Sequence, residues 1–376
     1  MPPSDGASGP IVVHVFGRTD VGRTREHNED AFVVADLSAD DASLQPSVRT
    51  HPAGPRGTLF MVADGMGGAA AGEIASEMAT AIVLRELRRE WLSTPNPTGD
   101  SFAAAIKHAA SAANAEINAY AANHAEYRGM GTTATIAGML GDTVYVAQVG
   151  DSRAYLVRDG VARQITKDQS LMQKLVEAGE ITEEEAEHSE RRNIILQALG
   201  PEATVKVDLT HQKLRQGDTL VLCSDGLSGQ VTRDEIGKVV AEEQDLMTVC
   251  KRLIDLANSA GGPDNITVIA ARFDGEGLES ASDRDEIGHR VFPLAESSHT
   301  PPMGIDRMLD DGESQRITMP VHAVTRDTVP VAPGEDGPMV SEERRARGQA
   351  IQRMLLLALV AAIVLAAAWW LLKLTH

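Results

Sequence analysis

The chain has 376 residues, a formal net charge of -19 and 43% hydrophobic residues. This composition can build a sizeable core, and the length fits one large domain with appendages or two domains. The acidic balance argues against a polyanion-binding surface, so we expect no nucleic-acid partner. Cys223 and Cys250 are too few for a disulfide framework or a thiolate metal site, which predicts two reduced core thiols.

The folded part of the chain is predicted to begin at residue 11. Residues 1–10 are polar, contain proline and carry no secretory signal, so we expect them to be disordered. Beyond them, β-rich runs bounded by Gly, Asp or Pro predict strands. The predicted strands are 11–17, 31–35, 59–63, 132–140, 143–149, 154–157, 219–223 and 266–273.

Apolar residues at spacings of three and four predict the helices. The predicted helices are 69–91, 101–124, 171–178, 183–190, 233–242 and 246–259. Strands therefore occur in runs and helices in pairs, which favours packed antiparallel sheets covered by helices over a doubly wound parallel sheet. We assign residues 11–274 to one folded domain of this α+β class.

The C-terminal quarter of the chain has two further compositional zones. Residues 275–350 are acidic and proline-rich without a regular period, which predicts a disordered tether. Residues 354–372 form an uninterrupted apolar run, roughly 28 Å long as a helix, which predicts a membrane-spanning helix over 351–374. Basic residues cluster before this run, so the positive-inside rule places the N-terminal domain in the cytoplasm.

Five short acidic motifs lie at glycine turns or predicted strand ends. They are REHNEDA at 25–31, DGMGG at 64–68, GDSR at 150–153, SDG at 224–226 and DN at 264–265. Carboxylates delivered by separate strand ends, with little His or Cys nearby, suit hard divalent cations. A lone Asp-Gly is usually only a turn, but five such motifs together indicate a metal site.

In this order, the motifs resemble those of the metal-dependent Ser/Thr protein phosphatases of the protein phosphatase 2C family. The segments 129–133, 168–171, 179–181, 191–193 and 199–200 are similar to those of its bacterial members. The resemblance implies a four-layer αββα sandwich with the metal ions at one end of its two sheets. This fold agrees with the α+β architecture that the periodicities predict.

The resemblance also implies a cofactor and a role for each site residue. It implies two Mn2+ or Mg2+ ions per subunit and a third, weaker one. Asp64 is the ligand shared by the two ions, and Glu29 and the Gly65 carbonyl join it on one of them. Asp225 and Asp264 complete the other ion, and Asp151 joins the third together with Asp225. Arg25 clamps the substrate phosphate, and Asp30 and Asn265 hold the ligands and backbone in place.

The residue types suit phosphate-ester hydrolysis. Two metal ions can activate a water and neutralise the phosphoryl charge, and a guanidinium matches phosphate oxygens bidentately. The glycines after Asp64 also suggest a phosphate loop, but no Gly-Lys-Ser/Thr follows. Asp151 could instead cap a turn. For Arg153 a structural ion pair is favoured over a phosphate clamp.

Two positions depart from the family pattern. Met66 stands where many eukaryotic relatives have a His that is thought to protonate the leaving group, and Met cannot do so. His27 is interpreted as a solvated loop residue rather than a replacement acid. Gln169 stands where bacterial relatives usually have His, at the start of residues 168–192, which we call the flap segment and expect to shape substrate specificity.

The leading hypothesis is a membrane-tethered, cytoplasmic enzyme that hydrolyses phosphoserine and phosphothreonine in proteins. Its expected substrates include Ser/Thr kinases and their targets at the same membrane, because anchoring raises effective concentration. One alternative is an inactive phosphoprotein-binding scaffold, which predicts the loss of a ligand carboxylate. A third hypothesis is a phosphohydrolase of small molecules. Only competition between phosphopeptides and metabolite phosphates would distinguish it from a protein phosphatase.

Overall fold

A computed structural model describes residues 9–39, 49–67, 71–187, 189, 191–282, 285–294 and 324–325. Residues 1–8 of the predicted N-terminal tail, the tether from 295 apart from two residues, and the predicted span 351–374 lie outside this part. Within the described part, no helix is long and apolar enough to cross a membrane.

The strands form two antiparallel sheets. They are β1 (Val12–Asp20), β2 (Asp30–Asp36), β3 (Thr50–Pro52), β4 (Thr58–Met66), β5 (Gly131–Thr132), β6 (Ala134–Leu140), β7 (Thr143–Val149), β8 (Arg153–Arg158), β9 (Val161–Gln164), β10 (Ile194–Ile195), β11 (Asp208–Lys213), β12 (Thr219–Cys223), β13 (Ile266–Asp274) and β14 (Val324–Thr325). One sheet has the order β3-β1-β13-β12-β8-β9 and the other β11-β7-β6-β4-β2. Short β5 pairs with the end of β4, and β10 pairs with β14.

Helices cover the outer faces of both sheets. They are α1 (Ala71–Glu86), α2 (Gly99–Asn123), α3 (Leu171–Glu177), α4 (Glu183–Glu187), α5 (Asp225–Ser228), α6 (Arg233–Glu242) and α7 (Leu246–Ser259). A π-helical turn, Leu87–Trp91, extends α1. Capping boxes at Thr98 and Thr232 begin α2 and α6, because each hydroxyl accepts an otherwise unbonded N–H of the first turn.

Three apolar cores hold four layers together. Between the sheets, Phe60 of β4 meets Phe273 of β13 edge to face, with ring centroids 6.3 Å apart. One outer core joins α1 and α2 to the sheet of β4, and the other joins α6 and α7 to the sheet of β12. Helix α2 lies very close to β6, since a Cβ on Gly138 would be 2.5 Å from Ile106. The predicted αββα sandwich is confirmed.

Several predicted bounds need correction. The strand expected over 132–140 is interrupted at Thr133, whose hydroxyl accepts the N–H of Asp64 at 3.0 Å. The helix expected over 183–190 is assigned only as far as Glu187. Edge strands β3, β9 and β11 were not predicted, because short or polar strands lack a clear apolar alternation. Both cysteines are buried and free, as predicted.

The domain does not end at residue 274 as predicted. Leu278 is only 4% exposed and joins the core between the sheets. The Arg215 guanidinium then holds Asp285 at 2.7 Å, which fixes the chain against the turn that precedes β12. Acidic composition did not reveal this order, because a few apolar and paired residues are sufficient to keep the stretch on the surface of the domain.

The same extension adds a strand-like segment beside β11. Phe292 donates its N–H to the Leu209 carbonyl at 2.9 Å and meets Tyr145 edge to face, with ring centroids 5.2 Å apart. The prediction of a disordered tether over 275–350 is therefore wrong for residues 275–282 and 285–294. The covered sheet edge gains hydrogen-bond partners that solvent would otherwise supply.

Candidate metal and phosphate site

The pairing of β2 with β4 brings the first two acidic motifs together. Asp30 lies opposite Asp64 at the end of this strand pair. The Gly65 N–H donates to the Glu29 carbonyl at 3.0 Å. A Cβ on Gly65 would lie 2.4 Å from that carbonyl oxygen, so only glycine allows this approach. Glu29, Asp64 and Gly65, which were predicted to share one metal ion, are thus neighbours.

The last two motifs come from the other sheet. Asp225 opens the one-turn helix α5 directly after β12, and Asp264 precedes β13, which pairs with β12. The two sheets are joined at this point, because Ser224 Oγ donates to Asp30 Oδ2 at 2.7 Å. Strand ends from both sheets therefore deliver their carboxylates to one end of the sandwich.

Asn265 connects this end of the sandwich to the loop before β2. Its Oδ1 accepts the Glu29 N–H at 2.8 Å, and its Nδ2 donates to the carbonyls of Val21 and His27, both at 2.9 Å. Asn265 is 4% exposed. A single buried amide thus fixes the backbone before the first motif, at Val21, and within it, at His27 and Glu29.

The site concentrates negative charge. Burial raises the pKa of Glu29; the Arg25 guanidinium opposes this rise, and the Asp264 carboxylate adds to it. Burial also raises the pKa of Asp30 to about 7, against the hydrogen bond from Ser224 and with support from nearby carboxylates. These carboxylates disfavour one another's ionisation, which a bound cation would relieve.

Arg25 provides positive charge at the edge of this cluster. Its Nη2 donates to Asp264 Oδ2 at 3.0 Å, and the side chain is 38% exposed. The guanidinium is therefore open to solvent on one side and bound to a carboxylate on the other. This position suits a residue that meets a phosphate arriving from solvent.

The donor set fits a hard divalent cation in chemical type, since carboxylate and carbonyl oxygens predominate. A Cβ on Gly72 would lie 2.9 Å from Glu29 Oε2, so that carboxylate lies directly against the backbone of α1. Among the described residues, no three carboxylate, imidazole or thiolate side chains form a ready chelate. Residues 68–70 of the glycine turn are not among them. Arg25 compensates Asp264 in this arrangement.

Asp151 lies in a turn that packs against the Asp64 strand. Asp151 is 6% exposed, and Gly150 before it has a φ of +96°, which favours glycine. Thr133 connects the two segments, because its hydroxyl accepts the Asp64 N–H and shares a 2.7 Å hydrogen bond with Ser152 Oγ. Sequence reasoning missed Thr133, and only its place in the family-like segment 129–133 indicated it.

Met66, at the first departure from the family pattern, is buried, whereas His27 is exposed. Met66 is 4% exposed and packs against Ile195 and Ala198, which follow the flap segment. Met66 therefore packs the turn after Asp64 against the chain that follows the flap segment. It supplies no proton to a leaving group. His27 is exposed, as predicted, and its carbonyl serves Asn265.

Arg153 belongs to the structural framework, as predicted. Its guanidinium binds Asp168 with a shortest distance of 2.8 Å, at the start of the flap segment. The same guanidinium contacts the Tyr155 hydroxyl at 3.2 Å. Arg153 therefore bonds to protein groups at the base of the flap segment, as a structural residue does.

Two packed antiparallel sheets bring several carboxylates and an arginine to one end, and this set of groups suits the metal-assisted hydrolysis of a phosphate ester. The protein phosphatase 2C family model matches residues 34–266. The chain is 39% identical over 263 residues to the serine/threonine phosphatase stp of Listeria monocytogenes, covering 70% of this chain and 96% of that protein.

Solved structures agree with this match. The Mycobacterium tuberculosis serine/threonine phosphatase PstP/Ppp has a TM-score of 0.58 and 36% identity, covering 71% of this chain and 99% of the other. A PstP catalytic domain in complex with two manganese ions has a TM-score of 0.56 and 35% identity, with coverages of 70% and 99%. The chain belongs to the protein phosphatase 2C family and is a protein serine/threonine phosphatase of the bacterial type.

Proposed function

We propose that the chain hydrolyses phosphoserine and phosphothreonine in proteins and depends on Mn2+ or Mg2+. The convergence of Glu29, Asp64, Asp225 and Asp264 beside Arg25 carries this proposal. The two manganese ions of the related PstP domain support two ions per subunit here. All predicted ligand carboxylates are present in the chain, which favours an enzyme over an inactive scaffold.

We assign to these residues the roles that the family resemblance implies. Glu29, Asp64 and the Gly65 carbonyl would hold one ion, Asp225 and Asp264 the other, and Asp151 with Asp225 a third. When bound, the ions would activate the attacking water and neutralise charge on the phosphoryl group.

The chain's own residues orient the substrate and maintain the site. Arg25 binds two phosphate oxygens through its planar guanidinium and thereby aligns the phosphoryl group with the carboxylate cluster. Asn265 and Ser224 maintain the spacing of the strand ends. Because Met66 carries no transferable proton and is buried, the leaving alkoxide of the serine or threonine takes its proton from water or another group.

We further propose that residues 351–374 anchor the enzyme in a membrane, with the domain in the cytoplasm and the chain after residue 294 as tether. The last described residues of the extension lie near the Asp151 turn, at the end of the sandwich that carries the carboxylates. Phe292 pairs with Leu209, one residue after Asp208, which lies opposite Gln148 close to the Asp151 turn. Ser/Thr kinases and their targets at the membrane are the expected substrates.

The function is tested by stripping the protein with a chelator and adding Mn2+ back in the presence of a phosphothreonine peptide. A protein phosphatase should regain turnover of the peptide when Mn2+ is added. Excess metabolite phosphates should inhibit this turnover only weakly. Preferential turnover of the metabolites would contradict it.

The membrane anchor is tested by removing residues 341–376. The truncated protein should leave the membrane with its activity intact, and continued membrane association would contradict the anchor.

A further inference from the structure

Gln169 occupies a buried junction at the base of the flap segment. Only 7% of the residue is exposed, although its amide is polar. Its backbone N–H donates to the Gly150 carbonyl at 2.9 Å, and its carbonyl accepts the Leu196 N–H at 2.7 Å. The next residue, Ser170, forms a β-bridge with Ile195. The entry and return of the flap segment are thus joined at this residue.

The side chain of Gln169 adds contacts with two other segments. Its Oε1 accepts the Gly150 N–H at 3.0 Å. Its Nε2 donates to Asp208 Oδ2 at 2.9 Å and to the Lys206 carbonyl at 3.2 Å. The reverse amide orientation would place Oε1 against these two acceptors and the Gln148 carbonyl, and the NH2 group against an N–H, so the network permits one orientation.

Gly150 connects this junction to the site. A Cβ at Gly150 would lie 2.6 Å from Thr133 Cγ2, so the turn is in close contact with the residue that accepts the Asp64 N–H. Asp151 follows Gly150 directly. A displacement of the Gly150 amide would therefore move Asp151 and disturb the packing beside Asp64, because close-packed interiors transmit small shifts.

We propose that Gln169 is a positioning residue that fixes the Asp151 turn and the base of the flap segment relative to each other. The role needs an acceptor for the Gly150 N–H and a donor for the Asp208 carboxylate in one side chain, which a neutral amide provides. This proposal rests on the proposed phosphatase function, with the flap segment guiding the phosphoprotein and Asp151 contributing at the reacting end.

The sharpest test replaces Gln169→Glu, which preserves the shape and the acceptor for Gly150. When ionised, the introduced carboxylate would face the Asp208 carboxylate and could not donate to it. Adding Asp208→Asn restores a donor on the opposite side of the same contact. The double variant therefore separates this hydrogen bond from a general effect of substitution, and Gln216→Glu on the exposed surface controls for the added charge.

Two measurements are made on each variant. Amide hydrogen exchange of the metal-free protein should accelerate at least about tenfold at Gly150 and Leu196 in Q169E and should be slower in the double variant than in Q169E. With Mn2+, Q169E should lower kcat about tenfold on both p-nitrophenyl phosphate and a phosphothreonine peptide, and should raise KM for the peptide only. The double variant should recover part of each loss, because the Lys206 carbonyl still faces an acceptor, and Gln216→Glu should match wild type.

The proposal would be overturned if Q169E had the amide exchange rates and kinetic constants of the wild type. It would also be overturned if adding Asp208→Asn repaired none of the losses seen in Q169E. If Q169E does not fold, Gln169→Met serves as the test variant, because it fills the site but removes the acceptor for Gly150. Unchanged protection of Gly150 in that variant would also overturn the proposal. Absence of wild-type phosphopeptide turnover would instead contradict the proposed function, and the exchange experiment would still decide whether Gln169 fixes the turn.

Discussion

Arg25 donates from Nη2 to Asp264 Oδ2 at 3.0 Å, so the side chain assigned to phosphate binds a carboxylate assigned to a metal ion. A divalent cation at Asp264 would compete with the guanidinium for this carboxylate. Arg25 could then turn its donors to phosphate, which couples the two binding events through one ion pair. The exposure of Arg25 leaves room for such a change of partner.

Replacing Arg25→Ala should lower kcat/KM for a phosphothreonine peptide by roughly 10- to 100-fold, because charge-assisted hydrogen bonds to phosphate are lost. Mn2+ affinity, measured by calorimetry, should stay equal or increase, since Asp264 loses a competing cation. Arg23→Ala, an exposed arginine of the same loop, is the matched control. Equal kinetic losses in both variants, or weaker Mn2+ binding in Arg25→Ala, would argue against the assignment.

Asn265→Ala should destabilise the metal-free protein by about 2–4 kcal/mol, because the buried Glu29 N–H and two carbonyls lose their partner. Urea denaturation in the presence of a chelator measures this difference. Asn123→Ala removes an exposed amide that bonds only within α2, and should change stability by less than about 0.5 kcal/mol. Similar effects of the two substitutions would show that Asn265 is not a structural junction.

His51 makes stability depend on acid pH. Burial lowers its pKa from the ordinary value of 6.5, and the residue is 7% exposed, with Nε2 bonded to Thr58 Oγ1 at 2.9 Å. The unfolded chain then takes up this proton at a higher pH than the folded chain. The stability involved is complete above about pH 6.5 and is lost as pH falls through 6.5 towards the lower, folded value.

His51→Gln should therefore flatten the fall in unfolding free energy between pH 6.5 and 5. Denaturant unfolding at several pH values measures the unfolding free energy of both proteins. The difference in unfolding free energy between variant and wild type at pH 8 serves as the reference. If that difference is the same at pH 5 and pH 8, His51 does not titrate with folding.

Phe292→Ala should destabilise the domain by about 1–3 kcal/mol, because its ring packs against Tyr145 and His211. Val291→Ala should change stability by less than about 0.5 kcal/mol, since Val291 is 67% exposed. Thermal unfolding of the two variants compares them directly. Equal melting temperatures would mean that the extension does not contribute to the folded domain.

Much of the architecture could be predicted because apolar period and glycine punctuation are local signals. The bounds of β7, α6 and α7 agree with those predicted from periodicity alone. The carboxylates were found as motifs, but the contacts of Thr133, Ser224 and Gln169 were not. Those contacts join residues far apart in sequence, so no local pattern encodes them. Phe292 was missed for the same reason, because its partner strand lies about 80 residues earlier.

Asp64→Asn gives the most direct test of metal-dependent phosphoprotein hydrolysis. The substitution preserves size and removes the charge that a shared ligand needs, so turnover of a phosphothreonine peptide with saturating Mn2+ should fall at least about 100-fold. Asp159→Asn, at an exposed turn, should keep full activity. Undiminished turnover in folded Asp64→Asn would contradict the metal-dependent mechanism.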